Sequence, residues 1–238
     1  MLNGNNLDLL VFAPHPDDAE IATGGLLAKL ARQGRRVGIV DLTRGSWGTK
    51  GDADTRVREA AAAAKVLGLC VRECLALPDG RLEPTMQQRR LVAECIRRLR
   101  PRIVLAPLED DPHPDHHAAH HLVRGASLWA RLPKAEVVGE PWSVRRLVFY
   151  PLHRSDGRPS FLVDINEHLE TKLAAMACFA SQFIDAVLPE GYTYLATSDY
   201  LARARANAAY YGQMAGTLAA EAYWTDTPPV VGDVIEEQ

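Results

Sequence analysis

No pair of cysteines in this chain has CxxC spacing, and the four present, Cys70, Cys74, Cys95 and Cys178, lie inside apolar periodic segments. They read as reduced thiols packed in a core rather than as metal or redox ligands. The chain also lacks an apolar run of membrane-spanning length, and no N-terminal stretch joins basic residues, an apolar core and a small-residue cleavage site. The cytoplasm is the expected location, with no membrane partner. A basic excess is missing too: 27 Lys and Arg stand against 30 Asp and Glu, a net charge of −3. Nonspecific nucleic-acid binding needs clustered positive charge, so nucleic acid is not an expected partner. There is no Gly/Ser/Pro-rich or charged linker, no internal repeat and no low-complexity tract beyond a short alanine run. With 47% hydrophobic and 24% charged residues in 238, the composition is that of a globular chain able to bury a core.

What the chain does have is a regular alternation. Leu7 to Ala13 is a continuous apolar run, the mark of a strand covered on both faces. IATGGLLAKLARQG follows at helical spacing and stops at Gly34. RVGIVDLT, CVRECLALP and RIVLAP read as strands two to four, separated by an alanine-rich helix (Thr55 to Leu69) and a helix over Met86 to Leu99. DHHAAHHLVRGASLWA opens another helix, after which VRRLVFYPLH and SFLVDI read as strands, and HLETKLAAMACFASQF and YLARARANAAYYGQMAG as helices. This order predicts an α/β fold: a Rossmann-like, mostly parallel sheet flanked by helices, with a C-terminal strand/helix extension in the same single domain, residues 1–238.

In open α/β sheets, ligands bind beyond the carboxyl ends of the strands. The first strand runs directly into His15, Pro16, Asp17 and Asp18, and the fourth into EDDPHPDHHAAHH, Glu109 to His121. The first loop has neither GxGxxG nor GxxxxGK[ST], and its two carboxylates would repel a pyrophosphate. Such a loop suits a cation. Seen alone, HPDD is a turn with an Asx cap and HPDH a helix N-cap. Two such clusters about a hundred residues apart, brought to one sheet edge, instead predict a shared pocket. Imidazole and carboxylate donors without cysteine fit zinc or a neighbouring first-row metal, and three protein ligands with an open position make a catalytic site. Spacing nominates His15 with Asp17 or Asp18, and one or two of His113, His116 and His117. His120 and His121, one turn into the helix, read as packing or solvated histidines.

The pair HPDDAE and HPDH resembles the paired motif of the LmbE-like or PIG-L-like zinc N-acetylglucosamine deacetylases. The likeness continues through DLTRG, LPDG, SQF and RARANAAYYG, which are most similar to the bacillithiol-biosynthesis branch that deacetylates N-acetylglucosaminyl-malate. The resemblance implies Zn2+ held by His15, Asp18 and His116, with Asp17 the general base acting on metal-bound water. It implies a protonated His113 that stabilises the oxyanion or protonates the leaving amine, with Asp115 orienting its ring. Arg56 would clamp a malate carboxylate, Tyr194 would approach the oxyanion, and Arg203 and Arg205 would meet substrate or coat a helix. Ser46 stands where relatives often carry an acid, beside Trp47, a sugar-stacking or subunit-contact residue. The partners implied are a small N-acetylglucosaminyl conjugate and further copies of the chain, as a trimer or hexamer. The alternatives are the same chemistry on free N-acetylglucosamine, a chitin disaccharide or an inositol conjugate, or a noncatalytic metal-binding protein.

Overall fold

The computed structural model describes residues 6–48, 50–153, 158–183 and 199–228. Tyr194 lies outside them. The central sheet is built from β1 (Leu9–Ala13), β2 (Val37–Thr43), β3 (Val71–Leu77), β4 (Ile103–Pro107) and β5 (Arg146–Tyr150) in the order β3-β2-β1-β4-β5, every pair parallel. The chain winds outward from β1 through β2 to β3, then returns to start β4 on the other side of β1. That reversal opens a crevice beyond the carboxyl ends of β1 and β4, where parallel sheets bind ligands.

Alternation along the buried strands splits the core into two layers. Leu10 and Phe12 of β1 pack with Val40, Val104 and Ala106 against α3 (Met86–Leu99) and α4 (Pro114–Arg131). Leu9, Val11 and Ala13 face α1 (Asp18–Arg32), α2 (Ala53–Leu67) and α5 (Leu169–Ala177). Helix starts follow the capping rules: Asp52 accepts from Thr55 N (2.7 Å), and His113 stands at the N-cap of α4 with Pro114 behind it. α2 ends on Gly68, whose φ of 71° is free for glycine.

Three expectations need correction. The single helix predicted over HLETKLAAMACFASQF is a short 3-10 turn at Asn166–His168, then α5, then α6 (Ala180–Phe183). Fully buried Phe179 takes the break, where Cys178 N and Phe179 N bond three residues back, to Ala175 O and Met176 O. Secondly, β7 (Ala220–Tyr223) was not expected; after α7 (Tyr200–Ala215) it pairs antiparallel with β6 (Phe161–Asp164). An isolated antiparallel bridge between Phe149 and Trp224 joins this small sheet to β5. Thirdly, of the four cysteines only Cys95 is buried, because Cys70 and Cys74 lie at or beside the edge strand β3 and Cys178 at the helix break.

Candidate metal centre and active site

The tip of β1 is held to β2 through Pro14 O, which accepts from Thr43 N (3.1 Å) and Thr43 Oγ1 (2.9 Å). Beyond it the chain turns sharply into α1, with Asp17 at φ 113°, a region costly for a residue with a Cβ. The turn brings Asp18 Oδ2 to 2.9 Å from His15 N and 3.2 Å from His15 Nδ1. At the tip of β4, Asp111 Oδ1 accepts from His113 N (2.9 Å), setting the entry to α4 and placing His116 in its first turn.

The two tips meet. His15 Nδ1, Asp18 Oδ2 and His116 Nε2 form a near-equilateral triangle with sides of 3.2, 3.4 and 3.4 Å. Donor atoms at the ~2.0–2.1 Å zinc distance in a tetrahedral arrangement are about 3.3–3.4 Å apart, so these three atoms could hold such an ion. The second nitrogen of each ring faces a carboxylate. His15 Nε2 lies 3.1 Å from Asp115 Oδ2 and 3.2 Å from Asp79 Oδ1, and His116 Nδ1 lies 3.0 Å from Asp111 Oδ1, an ion-pair approach rather than an aligned hydrogen bond. Carboxylate backing of this kind orients metal-binding imidazoles. His113 also comes within reach of both rings, though its Nδ1 accepts from Asp115 N (3.2 Å).

The pocket is electrostatically short of positive charge. Burial alone would lower the pKa of His15 and His116. Asp115, Asp18 and Asp79 nevertheless hold His15 well above its usual range, and Asp18 with Asp111 pushes His116 up to about 9. Asp18 itself lies well below the usual carboxylate range against its burial, drawn down chiefly by His116. A bound cation would meet the same demand that draws protons onto these rings. Two other groups move the opposite way. Burial, with Asp18 beside it and Arg56 opposing, pushes Asp17 up to about 7; burial, His116 and His15 hold His113 down to about 4.

Four expected roles change in the structure. Arg56 faces Asp17 instead of standing free to clamp a substrate carboxylate: it is 5% exposed and its Nη2 bonds Asp17 Oδ2 (2.8 Å) and Pro16 O (2.7 Å). The carboxylate of Asp115 does not orient His113; it accepts from Gly80 N and Leu82 N and meets His15, while only its backbone N–H reaches His113. His113 is neutral rather than protonated near pH 7, and since its Nδ1 is an acceptor the ring proton sits on Nε2. His117 turns away, with Nδ1 on Glu109 O (3.0 Å). Arg205 keeps one of its two expected roles, coating a helix, where it pairs with exposed Glu170.

Three site residues escaped the sequence reading. Asp111 stood among several acids in one cluster, Asp79 figured only as part of the LPDG segment of the resemblance, and His153 followed a strand whose place in the sheet was not known. His153 stacks on His116 (centroids 5.1 Å apart) with Nδ1 3.2 Å from Asp111 Oδ1. It also lines a cleft of about 240 Å³ that reaches Asp18 and is bounded by Ile21, Tyr200, Arg203, Asn207 and Tyr211. At another rim, Trp47 is 63% exposed, its backbone N–H on Asp79 Oδ2 (2.6 Å) and its ring against Gly80, where a Cβ would meet the indole at 2.5 Å.

Fold and site together define an α/β enzyme whose centre, at the switch point of a parallel sheet, is built to take a cation. A family model described as PIG-L: GlcNAc-PI de-N-acetylase matches residues 10–127. The chain is 34% identical over 228 residues to diacetylchitobiose deacetylase of Thermococcus kodakarensis, covering 90% of this chain and 80% of that protein. It is 30% identical over 198 residues to 4-oxalmesaconate hydratase of Pseudomonas putida, 76% of each. Its structure resembles that of the conserved protein TT1542 from Thermus thermophilus, with a TM-score of 0.86 and 42% identity over 96% of this chain and 98% of that one. The chain belongs to the PIG-L, or GlcNAc-PI de-N-acetylase, family, and so to the amide hydrolases. None of these relatives names the malate conjugate that the resemblance implied. Among the described residues, no helix is long and apolar enough to cross a membrane.

Proposed function

We propose that this chain is a zinc-dependent N-deacetylase that releases acetate from a small N-acetylglucosaminyl conjugate. The observation that carries the reading is the triangle of His15 Nδ1, Asp18 Oδ2 and His116 Nε2, with sides of 3.2, 3.4 and 3.4 Å, flanked by Asp17 and His113. These three residues would hold the zinc. When bound, the ion supplies a Lewis acid for the acetamide carbonyl and acidifies water near neutral pH. Asp17 takes the proton of the attacking water. Its Oδ2 is held by Arg56, which leaves Oδ1 for that proton, and its pKa of about 7 matches the working pH of a general base. His113 donates its neutral Nε2–H to the oxyanion, and protonated Asp17 then passes its proton to the leaving amine.

The aglycone is the finer question. With Arg56 committed to Asp17, the malate conjugate loses the clamp first assigned to it. Arg203 in the cleft favours an acidic aglycone all the same: its guanidinium lies over the Tyr200 ring (5.5 Å) and has no acidic partner among the described residues. Diacetylchitobiose, the substrate named for the 34% identical relative, is the neutral candidate. A cytoplasmic location and a trimeric or hexameric assembly belong to the same reading. The test is acetate release by the zinc-loaded protein from N-acetylglucosamine, diacetylchitobiose, N-acetylglucosaminyl-inositol and N-acetylglucosaminyl-malate at equal concentration. Release from at least one is expected. Release from none, with zinc bound, would sink the reading and make water addition, the chemistry named for the hydratase relative, the next assay.

A further inference from the structure

On the outer face of α4, beginning at His117 directly after His116, lies a second group of imidazole and carboxylate side chains that the proposed reaction does not use. His117 and His121 sit four residues apart with their rings edge to face, centroids 4.8 Å apart. Glu109, on the loop after β4, brings Oε1 to 3.3 Å from His121 Nε2. The backbone carbonyl of the same glutamate accepts from His117 Nδ1 (3.0 Å). A carbonyl can only accept, so that ring's proton is on Nδ1 and its Nε2 keeps a lone pair, the tautomer in which imidazoles bind metals. His120 differs: it is 3% exposed, packs on Phe149, and donates Nδ1 to Pro107 O, which accounts for it as a core residue. His117 is exposed, and His121, half-exposed, rests edge to face on His120 (centroids 5.1 Å apart) without being enclosed by the core.

Two histidines at i and i+4 on one helix face are spaced to share an ion, and a carboxylate from a neighbouring loop completes an N,N,O set. We propose that Glu109, His117 and His121 form a second, weaker site for a divalent transition-metal ion of borderline softness, such as zinc. Their donor atoms are not gathered within 4.8 Å as those of His15, His113 and His116 are, so this site closes on its ion by rotation of exposed side chains and binds it less tightly.

Equilibrium dialysis against rising zinc, with bound metal counted per chain, tests this. The wild-type protein should take up two zinc ions per chain, the second at higher concentration. The doubly substituted His117→Ala, His121→Ala protein should take up one fewer, and Glu109→Gln should weaken the second site alone. Retention of the first zinc, and of acetate release at one zinc per chain, reports that the variants are folded. The loss of one ion between wild type and variant is expected whatever reaction the centre performs. A wild-type protein that saturates at one zinc would overturn the proposal. So would a second zinc that persists in the double variant, which would place it away from these side chains.

Discussion

Asp17 combines a left-handed backbone, deep burial and a pKa raised by that burial against the pull of Arg56, which fixes its position by bonding both its carboxylate and the carbonyl before it. If Asp17 is the base and no ligand, Asp17→Asn should keep its metal and lose about two to four orders of magnitude in kcat. Metal content alongside acetate release checks this; an active variant would remove Asp17 from the role. Arg56→Ala should lower kcat by a similar factor on neutral and acidic conjugates, and cost about 3–5 kcal/mol of stability by leaving a carboxylate buried alone. A loss confined to acidic substrates would restore Arg56 as a clamp. At this scale the sequence showed the residues that recur in motifs, HPDD and HPDH, because ligand chemistry and spacing are local. It did not show that Asp79, Asp111 and His153 back and flank the rings, since that depends on which strand tips adjoin.

Elements were legible where periodicity was strong. The apolar runs of β1 and β4 and the alanine-rich α2 declared themselves, and boundaries moved by a few residues. β7 did not, since Ala-Glu-Ala-Tyr has neither β-branched residues nor an apolar run, and its glutamate is an internal one. Glu221 is buried and accepts from Gly25 N (2.9 Å), Leu26 N (2.8 Å), Lys172 Nζ (2.6 Å) and Tyr223 Oη (2.9 Å), tying α1, α5 and β7 together. Glu221→Ala would leave Lys172 charged and unpaired in the interior, and a loss of about 3–5 kcal/mol is expected in a urea titration. Gly25 shares this junction: a Cβ there would meet three atoms of Ile165 at 2.7–2.8 Å. Gly25→Ala should therefore cost roughly 1–3 kcal/mol by overpacking. An unchanged urea midpoint in either variant would mean that the junction adds nothing to stability.

At the scale of the whole molecule, the buried cluster around Arg72 should leave its own signature in stability. Arg72 grips Asp41 through two bonds (3.0 and 3.1 Å) and also pairs with Glu20. Burial, despite Arg72 and with Glu20 adding to it, raises Asp41 from 3.8 to about 6. Between those values the folded chain binds a proton that the unfolded chain does not, so the contribution of Asp41 to stability declines as pH rises through the interval. Asp41→Asn lacks that proton. Relative to wild type it should gain up to about 3 kcal/mol between pH 4 and pH 7, and urea midpoints at several pH values would show it; a constant offset would not fit. A centre that holds zinc, as proposed, would add a separate dependence: chelation should lower Tm, and restoring zinc to 100 times its Kd should return about 2.7 kcal/mol. The order of the strands has a consequence for synthesis. β1 is made early, but its neighbour β4 and His116 follow only after β2, α2, β3 and α3 have left the ribosome. A nascent chain with only the first tip carries two of the three side chains proposed to hold the ion, so the set would be complete only once β4 has slotted in beside β1, and arrival of the ion would then report that the most distant strand pairing on the route has been made.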